Sequence, residues 1–119
     1  MNKYQGIAPI TRREAEALIQ FGSPEEISLA LIRLAYHDPD WRWVQDLCIS
    51  LSSHADKWVR RSSVTCFGHI ARIHGVIDKD KVMPVLNRLL LDPEVKGEAE
   101  DAMGDLAVFI KNEDPRGNR

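Results

Sequence analysis

The sequence is poor in cysteine. Cys48 and Cys66 are the two it holds in 119 residues, too few for the stapled framework of a small secreted domain. They read as free thiols in a reducing cytoplasm. Long apolar runs are missing as well, and none approaches the roughly 20 residues of a membrane-spanning helix. Met1 to Ile10 has neither the charged start nor the apolar stretch of a secretory leader, so a cytoplasmic location is expected. Net charge is −2, from 16 basic and 18 acidic residues, which gives the chain no overall bias towards nucleic acid or membrane. The usual marks of catalysis are absent too. There is no glycine-rich phosphate loop and no His-Glu-x-x-His pair. Ser62, Ser63 and four scattered histidines form no nucleophile–base pattern. We therefore expect no enzyme and no cofactor. Cys66 and His69 stand one helical turn apart, a spacing that suits a shared metal. Cys66, however, falls on an apolar stripe, so the expectation is a buried thiol with surface His69 and His74, and no metal.

What is present has the balance of a folded globular protein: 44% hydrophobic and 29% charged residues. The length suits one domain over residues 1–119. Its organising stretch is Asp92 to Ile110. Asp92 can cap a helix and Pro93 suits the first helical position. Val95, Ala99, Ala102, Leu106, Phe109 and Ile110 then recur at helical spacing. The same stripe stands 36 residues earlier as Val59, Ser63, Cys66, Ile70 and Ile73. Arg60 corresponds to Lys96, Gly68 to Gly104 and Ala71 to Ala107. Two copies at one offset predict a helical repeat.

The rest of the chain reads as four more helices. Residues 1–10 are irregular, with Ile7 and Ile10 able to anchor them. Thr11 with Glu14 makes a capping box that opens a helix to Phe21, and Gly22 stops it. Ser23, Pro24 and Glu26 open a second helix to about His37, apolar nearly all round and so expected to be buried on several sides. After the turn Asp38-Pro39-Asp40, a third helix runs from Trp41 to about Ser53, with Val44, Leu47, Cys48 and Leu51 inward. Asp56 caps a fourth, from Lys57 to His74, which Gly75 ends. Asp78 or Asp80 starts a fifth, with Val82, Val85, Leu86, Leu89 and Leu90 in the core; Pro84 is tolerable there only in the first turn. Residues 112–119 are polar and expected to fray. Six helices with short connections pair as antiparallel hairpins. The predicted fold is all-α, three stacked hairpins, with helices two, four and six side by side. The Asp56 and Asp92 turns should share one edge and the Asp38 and Asp78 turns the other.

The segment Asp92-Pro93-Glu94-Val95-Lys96, followed by Ala99, Ala102, Gly104 and Leu106, resembles the second helix of a HEAT repeat. Asp56, Val59, Arg60, Cys66, Gly68 and Ile70 match the same pattern less fully, and the first hairpin keeps only its stripe of Ile27, Leu31 and Leu34. The resemblance covers roughly residues 23 to 110. It implies a curved helical stack whose second helices line a concave face, and binding rather than chemistry. More narrowly, MNKYQGIAPI, YHDPDWRWVQDL and CFGHIARIHG are similar to small bacterial HEAT-like proteins that accompany polymorphic toxins. Some of those are immunity proteins of contact-dependent growth inhibition systems. That comparison brings no site residues with it.

Candidate binding residues come from composition and helical position. Tyr36, Trp41, Arg42 and Trp43 crowd one turn with His37, and Trp and Arg are frequent interface anchors. One tryptophan is expected to plug the end of the stack and the other to be exposed. Charge is uneven: residues 57–72 carry Lys57, Arg60, Arg61 and Arg72 with no acid, whereas residues 92–105 carry six acids against Lys96. A helical wheel sets Arg33, Tyr36, Arg61, Thr65, Arg72, Asp101 and Val108 opposite the core stripes, with Gly68 and Gly104. A glycine inside a helix costs about 1 kcal/mol relative to alanine, so close approach of a neighbouring helix or of a partner is implied at both. The candidate site is thus Tyr36, Trp41, Arg42, Trp43, Arg61 and Arg72, with Glu98, Asp101 and Asp105 as its acidic side. The function expected is binding of a protein, specifically neutralisation of a toxin domain by occlusion. A nuclease, whose own site must be basic to hold phosphates, would suit the acidic helix. An adaptor or assembly scaffold is the alternative, and nucleic-acid binding through Arg33, Arg61 and Arg72 a third.

Overall fold

The computed structural model describes residues 6–110, and these form six α-helices with no strand among them. They are α1 (Arg12–Phe21), α2 (Pro24–His37), α3 (Trp41–Leu51), α4 (Lys57–His74), α5 (Lys79–Leu89) and α6 (Lys96–Phe109). The expected tail at 112–119 and the first five residues lie outside the described range.

Capping accounts for most of the helix starts. Thr11 with Glu14 and Ser23 with Glu26 both form the complete reciprocal box. The Asp40 carboxylate accepts from the Trp43 N–H at the start of α3, and the Asp56 carboxylate from the Trp58 and Val59 N–H groups at the start of α4. Each takes up donors that the first turn leaves without partners. Gly75 ends α4 in the left-handed region at φ 68°, where glycine has no Cβ penalty.

Two expectations are corrected. Asp92 and Pro93 do not open α6. Residues 92–95 form a tight turn, in which the Val95 N–H donates to the Asp92 carbonyl at 3.0 Å and the Glu94 N–H to the Asp92 carboxylate at 3.0 Å. This turn points Val95 into the core, fully buried, and the helix proper begins at Lys96. Pro84 lies inside α5, beyond its first turn. Pro84 and Asp80 are both exposed, so the carbonyl that Pro84 leaves without a donor belongs to a solvated stretch and water can serve it.

α2, α4 and α6 run parallel in one layer. Ser28 Oγ meets the Trp58 carbonyl near the start of α2 and α4, and Arg72 meets Tyr36 near their ends. Arg61 faces Glu98 and Gly68 faces Asp105 along the α4–α6 seam. α1, α3 and α5 return antiparallel as a second layer, each packed on the even helix of its own hairpin. Arg60 ties the Asp56 and Asp92 turns together on one edge, and the turns after α2 and α4 fall on the other. There the Asp78 N–H donates to Gln45 Oε1 at 2.7 Å, which settles a buried amide that the sequence pattern had hidden on the inner face of α3.

The core lies between the layers. Val59, Ser63, Cys66 and Ile70 of α4 and Val95, Ala99, Ala102 and Leu106 at α6 are all buried, so the repeated stripe does face inward. It gives out at the helix ends, where Ile73 and Phe109 are partly exposed. Cys48 and Cys66 are both buried free thiols. A hydrogen bond with Cys66 and burial together push the Cys48 thiol well above its ordinary range, so it stays protonated and packs as a small apolar group.

Candidate functional site

The exposed surface of the even layer is built from three helical stripes. α2 presents Glu25, Leu29, Ile32 and Tyr36, spaced at one or two turns. α4 presents Trp58, Arg61, Ser62 and Arg72, and α6 presents Glu98, Asp101 and Asp105. The two seams between them are closed in different ways.

The α4–α6 seam is closed by charge. Arg60 Nη2 donates to the Glu94 carboxylate at 2.6 Å and Nη1 to the His54 and Ala55 carbonyls. Its Nε lies 3.4 Å from Asp92 Oδ2, as an ionic contact out of line for a hydrogen bond. Arg61 Nε donates to the Glu94 carbonyl at 2.6 Å and faces Glu98 at 3.8 Å. Part of the charge asymmetry in the sequence is therefore internal complementarity, of Arg60 and Arg61 with Asp92, Glu94 and Glu98. Gly68 belongs to the same seam. It is buried, and a Cβ there would collide with the Asp105 carboxylate. Its pairing with Gly104 on one open face is corrected: Gly104 is exposed with nothing near it. The difference is one of neighbours, because α6 covers α4 and, among the described residues, no helix covers the far side of α6.

The α2–α4 seam is left open in its first half. A pocket of about 540 Å³ lies there, lined by Glu25, Ser28, Leu29, Ile32, Trp58 and Ser62. Leu29 is 53% exposed and Trp58 56%, so α2 is not buried on all the sides its composition suggested. Arg61 stacks on the Trp58 indole at 4.6 Å, and Lys57 Nζ stands 5.6 Å from it. The second half of the seam is filled by the Tyr36 and His69 rings, 5.0 Å apart, with Arg72 donating towards the Tyr36 hydroxyl at 3.4 Å and facing His69 Nδ1 at 2.8 Å.

The sequence-selected residues thus fall into separate places. Arg61 and Glu98 meet, Tyr36 and Arg72 meet, and Asp105 packs on Gly68. Asp101 stands exposed on α6. Trp41, Arg42 and Trp43 lie at the start of α3, in the other layer. Trp41 and Trp43 are both half-buried against the core, with Arg42 over the first at 4.9 Å and Arg12 over the second at 4.2 Å. Arg12 also pairs with Asp40 at 2.9 Å and Asp38 at 3.4 Å. The Asp40 carboxyl is held below its usual range by that Arg12 bond and by the Trp43 N–H. The tryptophan that stands out to solvent is Trp58, which neither stripe nor motif had marked. Its position just after the Asp56 cap, one residue before a core valine, is the signal that was available. Arg33 is committed as well, to the Ala8 and Pro9 carbonyls at 2.9 and 2.6 Å, and so pins the N-terminal segment. Among the described residues, no cluster of three or more His, Cys, Asp or Glu is placed to hold a metal ion, and no helix is long and apolar enough to cross a membrane.

No protein-family model matches the chain, and no curated protein matches it. Among solved structures, a chain in the crystal structure of a CDI complex from Cupriavidus taiwanensis LMG 19424 is 33% identical and superposes with a TM-score of 0.79. The match covers 92% of this chain and 98% of that one. Identity at that level across almost the whole of both chains goes beyond a shared fold: the chain belongs to the same family as that component of the CDI complex.

Proposed function

We propose that the protein is an immunity protein of a contact-dependent growth inhibition system, which acts in the cytoplasm by binding a cognate toxin domain and blocking it. The observation that carries this reading is its kinship, over nearly the full chain, with a component of a CDI complex. The stack supports it as a rigid scaffold that holds an exposed layer of three parallel helices, and the 36-residue register is consistent with a HEAT-like unit. Occlusion needs only shape and charge, not a reacting group.

The partner surface we favour is the even layer, with Glu98, Asp101 and Asp105 on its acidic flank and Tyr36, Arg61 and Arg72 towards its middle. An acidic flank suits a toxin domain with a basic working surface, as in a nuclease. Arg33, Arg61 and Arg72 are already engaged by carbonyls, a carboxylate, a phenol and an imidazole, which argues against these residues as a phosphate-binding track. Trp41, Arg42 and Trp43 remain a second, separate patch in this proposal, whose two tryptophans are each less exposed than Trp58. The test is growth of cells that produce a candidate CDI toxin domain from the organism that carries this gene. Co-production of this protein should restore growth and yield a co-purifying complex. Continued arrest together with no complex would contradict the proposal.

A further inference from the structure

We infer that the pocket between α2 and α4 is the anchor site for one large apolar side chain of the toxin domain, on a segment that carries a basic residue on one side of that anchor and an acidic residue on the other. The inference rests on the immunity reading and names the chemistry of its contact.

The walls supply the first argument. Leu29, Ile32 and Trp58 make a concave apolar surface, and Leu29 and Trp58 are each more than half exposed. Large apolar side chains left open beside each other in a hollow are a common mark of a partner site. The volume, about 540 Å³, exceeds one side chain and leaves room for part of the segment that carries it.

Order supplies the second. Trp58 does not hang free. Arg61 covers one face of the indole, and Arg61 is fixed by the Glu94 carbonyl and by Glu98. Ser28 reaches the Trp58 carbonyl at 3.4 Å and links the two walls. An aromatic fixed before binding loses little freedom on binding, which favours its use as an anchor. The far end of the seam is stopped by Tyr36, His69 and Arg72, so an incoming side chain meets a closed end rather than a through-channel.

Charge supplies the third and sets the partner's pattern. Glu25 stands on the α2 wall and Lys57 beside Trp58 on the α4 wall. Neither is in an ion pair among the described residues, while Arg60 and Arg61 nearby are. Glu25 therefore stands on the lining of the hollow without an ion-pair partner among the described residues, and Lys57, outside the lining, lies by the indole on the α4 side. A segment with a Leu, Met or Phe class anchor between a basic and an acidic residue satisfies all three at once.

The experiment uses this full chain and the purified toxin domain whose growth arrest it relieves, with binding kinetics and tryptophan emission as readouts. Trp58→Ala should speed dissociation roughly 30-fold or more, as central aromatic anchors do. Glu25→Lys and Lys57→Glu should each slow association about threefold, with a smaller salt dependence. In the parent, emission should shift to the blue on binding, and Trp58→Phe should lose most of that shift while Trp41 and Trp43 remain. Trp58 is exposed, so thermal melts of the Trp58 variants should match the parent, while Glu25→Lys, in the first turn of α2, should melt slightly lower and still fold, which excludes misfolding as the cause. Parental rates for Trp58→Ala in a protein that still captures the toxin domain would overturn the anchor site and leave the immunity reading standing. A Trp58-dependent dimer in sedimentation would assign the pocket to a second copy and overturn it too. Failure of the parent itself to capture the toxin domain would defeat the immunity reading, and the anchor site with it.

Discussion

α4 and α6 carry one stripe at a 36-residue offset, yet their flanks have opposite fates. Val59 and Val95, Ser63 and Ala99, Cys66 and Ala102, and Ile70 and Leu106 are buried in register. Gly68 and Ala71 are buried, whereas Gly104 and Ala107 are exposed. Arg60 is largely enclosed by its contacts, whereas Lys96 is exposed. The inward stripe answers to the helix of the same hairpin, which both copies possess. The flanks answer to the neighbouring hairpin, which α4 has on both sides and α6 on one. In a stacked array, position along the stack decides the fate of a residue as much as its place in the repeat.

Substitutions at matched positions test whether the neighbour or the repeat decides. The largest effect is expected where both copies agree. Ala99→Asp sets an unpaired carboxylate in the core and should cost on the order of 3 kcal/mol or more, read as a lower urea midpoint. A midpoint equal to the parent's would show that the stripe is misassigned. The glycines should then diverge. Gly68→Val has to displace Asp105 against the packed seam and should cost about 2 kcal/mol, whereas Gly104→Ala should add about 0.5–1 kcal/mol through helix propensity alone. Equal effects at both positions would erase the distinction between a covered and an uncovered flank. Arg60→Ala removes contacts to two carbonyls and two carboxylates and should cost about 1.5 kcal/mol, and Lys96→Ala should stay within about 0.5 kcal/mol. The smallest change in stability is expected for Asp101→Lys, within about 0.5 kcal/mol, and that variant should associate with the toxin domain more slowly and with less salt dependence. Asp101 is the better probe of the acidic flank than Glu98, because Glu98 faces Arg61 at 3.8 Å and its reversal would also disturb the seam.

The parts legible in the sequence were those governed by local rules. Two capping boxes, the Asp56 cap, the glycine stop at Gly75 and the inner part of the repeated stripe all depend on residues within a few positions of each other, and each appears in the fold as read. The parts that stayed hidden depend on which helix lies next to which. Arg60 and Arg61 of α4 read as part of a solvated or binding face until they are seen to hold Asp92 and Glu94 of the turn and to face Glu98 of α6. Asp92-Pro93 has the composition of a helix start, but Arg60 and Arg61 hold that segment as a turn and delay α6 to Lys96. α2 is apolar almost all round, and only the packing reveals that Leu29 faces an opening. Trp58 went unmarked for a related reason: Trp41 and Trp43 are denser in sequence, but their rings lie half-buried at the edge of the stack, while Trp58 alone stands beside the open seam.

The contrast between the two seams leads to the most direct test of the whole account. Amide hydrogen exchange of this protein, free and mixed with the toxin domain proposed as its partner, reports where that partner sits. Added protection is expected in the first turns of α2 and α4, around Glu25–Ile32 and Lys57–Ser62. A weaker change should follow along α6 near Asp101, and little should change at the start of α3 around Trp41 and Trp43. Protection confined to the α3 start, with the α2 and α4 segments exchanging as in the free protein, would contradict the claim that the open seam of the even layer receives the toxin.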